Sequence, residues 1–135
     1  SPSMVTERAS MVMPKVRVVL FQEEGACPIL EWLESLPERV HAKGAGRIRR
    51  LAELGHEMRR PEADYLGEGI YELRWRWQSV NYRVLYFFHG REVVILSHGF
   101  TKEGRVPPRE IDLAVRRKTA FQRSPEACSH EGDWP

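Results

Sequence analysis

The sequence predicts an α+β domain: a small antiparallel β-sheet with flanking helices, in the order β-α-α-β-β-β-α. Three observations point there. A chain of 135 residues has room for one domain and no second substantial core. Its central stretch alternates apolar and polar residues with the period of two that strands require, whereas the stretches on either side repeat apolar residues at helical spacing. Gly and Pro cluster between these stretches, where turns are needed.

Residues 15–21 form a β-branched and apolar run that fits a first strand. Ile29, Trp32, Leu33 and Leu36 then recur at helical spacing, with Pro28 tolerable in a first turn because its missing N–H would have no partner there. After Pro37 a second helix carries Val40, Gly44, Ile48, Leu51 and Gly55 along one stripe, with Arg39, Lys43, Arg47, Arg49 and Arg50 around its other faces. Gly44 and Gly46 each cost about 1 kcal/mol against Ala in a helix interior, a cost consistent with close packing on a sheet. Residues 56–69, with Pro61, Gly67 and Gly69, read as a loop. Three strands follow as a meander over 70–77, 82–88 and 92–100, the last two joined by a tight turn around His89 and Gly90. Pro107 and Pro108 introduce a last helix with Ile111, Ala114, Val115 and Phe121 as its buried stripe and Arg116, Arg117, Lys118 and Arg123 around it. Residues 15–123 are therefore the domain, with 1–14 and 124–135 read as flexible extensions.

Composition excludes several classes. Hydrophobic residues at 41% and charged residues at 30% are an ordinary globular mixture, and no apolar run approaches the ~18 residues of a membrane span. Residues 1–14 have neither a signal-peptide nor a transit-peptide pattern, so a cytoplasmic home is the expectation. Cys27 and Cys128 lie far apart and fit neither a disulfide framework nor zinc-ligand spacing, and both read as free thiols. The net charge of +2 is mild, but residues 101–123 hold seven Lys or Arg against three acids. That distribution favours a polyanionic partner or, equally, a solvated charged face.

The chemistry concentrates on one sheet face. Alternation puts Tyr71, Leu73, Trp75 and Trp77 on one side of their strand and Glu72, Arg74 and Arg76 on the other, leaving that second side available to a ligand. Arg83 on the next strand joins them. A guanidinium suits a phosphate because its planar fork donates two parallel hydrogen bonds and keeps its charge, which makes Arg74 and Arg83 the first candidates. The competing reading is a solvated face with its arginines paired to Glu72. His98 is the histidine placed to face such a cleft, and an imidazole exchanges a proton near neutrality. Trp75 and Trp77 share a face with Tyr71 and Leu73 and read as core. No His–Cys or His–carboxylate spacing suggests a metal, and there is no phosphate loop or nucleophile elbow, so no cofactor is expected.

The series Leu66, Gly67, Glu68, Gly69, Ile70, Tyr71, Glu72, Leu73, Arg74, then Tyr82, Arg83, Val84, Leu85, Tyr86, Phe87, then His98, Gly99, Phe100, Thr101, Lys102, followed by Pro108 and a basic helix, resembles the phage-derived, HigB-like branch of the RelE/HigB toxin superfamily. The resemblance spans about 15–121, and the order and spacing of its short motifs are more specific than any one of them. It implies a RelE-like fold and a toxin that enters the ribosomal A site and cuts messenger RNA there without a metal. It also implies a cognate antitoxin, often a helix-turn-helix protein, that silences it. Carried over by motif, the active-site positions are Arg74, Arg76 and Arg83, with His98 and Lys102 behind them; Arg109, Arg116, Arg117 and Lys118 on the last helix would touch RNA. Relatives often place a Lys or His in the loop before the meander and a Lys pair or Tyr near the end, whereas this chain has Asp64 and Tyr65 in that loop and Glu103 after Lys102. Cleavage by the RNA's own 2′-OH needs a base, cations for the phosphorane and an acid for the leaving 5′-oxygen. Arg74, Arg76 and Arg83 fit the second task; His98 is open as base or acid, and Lys102 as phosphate orienter or proton donor. Two other readings stand beside this one: a non-catalytic member that binds nucleic acid or a partner, and a gyrase-poisoning toxin of the same superfamily.

Overall fold

The central alternation builds hydrogen-bonded strands where it predicts them. The structure, a computed structural model, describes residues 15–132. The elements are β1 (Arg17–Leu20), α1 (Pro28–Ser35), α2 (Glu38–Leu54), β2 (Ala63–Gly67), β3 (Ile70–Trp77), β4 (Val80–His89), β5 (Val93–Thr101) and α3 (Pro108–Arg123), with one 3-10 turn at Gly55–Glu57. The expected extension over residues 1–14 lies outside the described residues. No helix among the described residues is long and apolar enough to cross a membrane.

Two features correct the sequence-based order. The segment 56–69 is not all loop: β2 pairs antiparallel with β3, Ala63 opposite Leu73 and Tyr65 opposite Tyr71, so the observed order is β-α-α-β-β-β-β-α. Its glycines make a hairpin turn, with Gly67, Glu68 and Gly69 all at positive φ. The sheet is also mixed, because β1 runs parallel to β5 at one edge, giving the order β1-β5-β4-β3-β2.

Helices cover both faces. On one side α1 and α2 bury Ile29, Leu33, Val40, Ile48 and Leu51 against Leu73, Trp75, Val84 and Leu96. The two helices reach the strands through glycines. A side-chain carbon at Gly44 would lie 2.5 Å from Cζ2 of Trp75, and one at Gly99 would collide with Trp32. α2 therefore runs unbroken past Gly44 and Gly46, its propensity cost offset by packing. On the other side α3 buries Ala114 and Phe121 against Ile70, Leu85, Phe87 and Ile95. The face opposite the aromatic residues is thus covered along part of its length, and its Arg74–Arg83 end opens to a cleft. Part of the segment read as a C-terminal tail lies along β1: Ser129 bridges to Phe21, and the His130 N–H donates to the Leu20 carbonyl at 2.9 Å. Cys27 and Cys128 are free.

Candidate functional site

Register brings the two leading arginines directly opposite each other, Arg74 on β3 against Arg83 on β4. Like charges so placed repel. Glu72, two residues along the same face and only 2% exposed, resolves the conflict. Its carboxylate accepts Arg83 Nη1–H at 3.1 and 3.2 Å and Arg74 Nη1–H at 3.4 Å. Arg83 is buried, and its remaining edge is also occupied: Nε donates to the Lys102 carbonyl at 3.1 Å and Nη2 to the Gly104 carbonyl at 2.6 Å. The guanidinium fork thus pins the loop between β5 and α3 to the sheet.

Arg74 differs. Its Nε donates to the Pro61 carbonyl at 2.8 Å, which fixes its direction, but its side chain is 34% exposed. Among the described residues Nη2 has no hydrogen-bond partner. Arg74 lines a cleft of about 600 Å3. Asp64, Tyr65 and Leu66 of β2 line one wall, Gly104, Arg105, Val106, Pro108, Ile111 and Asp112 the other, with Glu72 and Arg83 beside Arg74. Arg60, 3.0 Å away, bonds to the Asp64 carboxylate and lowers its pKa from the ordinary value.

The other expected site residues do not all converge on that cleft. Arg76 is exposed beyond Arg74 and lines a second hollow toward α2. His98 shares the sheet face, paired with Leu85, yet is buried away from the cleft, with Nδ1 at 2.9 Å from Ser97 Oγ and Nε2 at 3.3 Å from Glu110 Oε1. Burial pushes its pKa below the ordinary histidine value, and the Glu110 carboxylate opposes that shift. Lys102 offers its carbonyl to Arg83 while its side chain is exposed.

On α3, Arg109 and Arg116 are exposed as expected. Arg117 is not on that surface: it turns inward, donates through Nη1 to the Ser97 carbonyl at 2.7 Å, lies over the Phe21 ring and faces Glu23. Lys118 reaches back to the Glu68 carbonyl at 3.2 Å. Trp75 is core, as its alternation predicts, and Trp77 is partly buried against the same cluster. Arg105, Lys43 and Arg47 line the hollows without having been singled out. Arg105 carried one signal, a cation between a Gly and the Pro pair that opens α3. Among the described residues no three His, Cys, Asp or Glu side chains gather as a metal site.

A three-layer α+β domain with an arginine-floored cleft is the class that these observations define. Residues 31–119 match the family described as phage derived protein Gp49-like (DUF891), and the chain belongs to that family. The family is part of the RelE/HigB-like toxin superfamily, is toxin-like, and is associated in general with endoribonuclease activity, which makes an antitoxin the expected kind of partner. No curated protein matches the chain.

Proposed function

We propose that this protein is the toxin of a type II toxin–antitoxin pair, a HigB-like endoribonuclease that cuts messenger RNA on the ribosome without a metal, and whose antitoxin is a helix-turn-helix protein. The observation that carries the reading is Arg74: a guanidinium fixed by Pro61 and Glu72, with one amino group unpartnered among the described residues, at the floor of an open cleft. Such a donor is oriented before substrate arrives and loses little on meeting developing negative charge.

In this reading Arg74 binds the scissile phosphate and stabilises the phosphorane formed when the neighbouring 2′-OH attacks, its proton passing to water or to a group of the ribosome. Arg83 is a positioning residue that fixes the 102–104 loop and shares Glu72 with Arg74. Arg76 and Arg105 extend the positive rim, and exposed Arg109 and Arg116 meet ribosomal RNA. Lys102, exposed on the pinned loop, assists the departing 5′-oxygen. His98 acts only if the Glu110 contact opens.

The incomplete proton-transfer set supports dependence on the ribosome, which would orient the substrate. Purified protein is expected to cut messenger in translating ribosomes and to leave the same RNA intact when free. Equal cleavage of both would overturn the ribosome dependence. The occupied donors of Arg83 and the burial of His98 favour a second reading, a member that binds without cutting, and absence of cleavage in both arms would select it.

A further inference from the structure

We infer that the groove between α2 and the turn end of the β3–β4 hairpin is a track for the phosphodiester backbone of a single RNA strand, with Lys43 and Arg47 as phosphate ligands. The placing of one phosphate at Arg74 rests on the proposed nuclease reading; the chemistry of the groove does not.

The groove has a volume of about 410 Å3 and is lined by five cations, Lys43, Arg47, Arg74, Arg76 and Arg83, with no carboxylate among its lining residues. The neighbouring cleft, by contrast, has Asp64, Glu68, Glu72 and Asp112 in its walls. Arg74 and Arg83 line both hollows. A strand with one phosphate at Arg74 therefore passes from a mixed-charge cleft into one whose charged lining side chains are all cationic, with Glu103 nearby on Asn81.

The helix cations are held in place by the fold. Gly44 lets α2 settle on Trp75, and at that separation Lys43 Nζ donates to the Arg76 carbonyl at 2.7 Å and Arg47 Nη1 to the Arg74 carbonyl at 3.0 Å. Each keeps further donors, since an ammonium has three and a guanidinium five. Glu62, 3.6 Å from Arg47, is more closely engaged by Arg50 at 2.8 Å. Protein partners take most of their binding energy from a few side chains buried in well-packed pockets. The apolar lining here is Pro61 and the 3% exposed Trp75, which favours phosphates over a protein partner.

The test is fluorescence anisotropy with a short, labelled 2′-O-methyl RNA, which cannot be cut through its own 2′-OH and so reports binding alone. Lys43→Ala with Arg47→Ala is compared with Arg17→Ala and Arg91→Ala, exposed residues near the opposite end of the sheet, after thermal melts confirm that both variants fold. Each phosphate contact on a single strand contributes about 0.7 to the slope of log K against log salt, so the groove variant should bind more weakly with a slope shallower by about 1.4. The control should keep the wild-type slope. A groove variant that behaves like the control, no binding by wild type at low salt, or an equal loss of affinity for poly-glutamate would each overturn the assignment. Cleavage of ribosome-bound messenger by wild type is scored separately. Its failure alone removes the nuclease and leaves the groove standing.

Discussion

Arg83 donates through one amino group to both oxygens of the buried Glu72 carboxylate while its other edge holds two loop carbonyls. Removing it strands a carboxylate at 2% exposure and frees the loop ahead of α3. Arg83→Ala is therefore expected to lose about 3 to 5 kcal/mol in urea unfolding. Arg83→Lys should also lose stability, because lysine keeps the charge without the fork. A loss within about 1 kcal/mol for the alanine variant would show that the pair is worth no more than a surface ion pair.

The two glycines of α2 should respond with opposite signs. A Cβ at Gly44 would sit 2.5 Å from Trp75, so Gly44→Ala should destabilise by about 1 to 3 kcal/mol despite alanine's better helix propensity. At Gly46 the nearest contact is the far end of Arg49 at 3.7 Å, and Gly46→Ala should stabilise by about 0.5 to 1 kcal/mol. Equal changes of the same sign would mean that Trp75 does not set the helix–sheet distance.

How much of this was legible in the sequence depends on what each feature needs. Alternation over residues 70–77 gave the faces of β3 correctly, because a strand's period is local. It could not give depth. Whether Arg83 is free or clamped depends on the carbonyls at 102 and 104, which are remote in sequence. β2 is not legible because its five residues, Ala-Asp-Tyr-Leu-Gly, include three poor strand formers and show no apolar alternation, although its partner lies just across a hairpin turn. Arg117 carried a usable signal: with Ala114 and Phe121 it forms an i, i+3, i+7 set, the spacing of a buried stripe.

Stability should fall on mild acidification through His98. Its folded pKa is depressed by burial from the ordinary value of 6.5, so the unfolded chain takes up the proton first. The contribution is fully present above the unfolded pKa and is lost as pH falls through the folded one, at no more than about 1.4 kcal/mol per pH unit. Urea midpoints between neutral and mildly acid pH should fall more steeply for wild type than for His98→Gln. Parallel curves would show that His98 is not held neutral by the fold.

On α3 the exposed Arg109 and Arg116 should carry ribosome docking, and the inward Arg117 should not. Charge reversal of Arg109 and Arg116 together should reduce co-sedimentation with ribosomes and flatten its salt dependence. Arg117→Met should lower thermal stability instead, because the Ser97 carbonyl loses its donor. If the reversed pair sediments like wild type at every salt concentration, α3 does not dock.

In the proposed reaction Arg74 acts on the scissile phosphate. Primer extension on translated messenger after induction checks this role, comparing wild type with an Arg74→Ala variant that circular dichroism shows to be folded. Wild type should produce new 5′ ends in the messenger, and Arg74→Ala should reduce them by about 10² to 10³, the usual loss for one well-placed electrostatic donor. A folded Arg74→Ala protein that cuts at the wild-type level, or a wild type that produces no new ends, would remove Arg74 from the reaction.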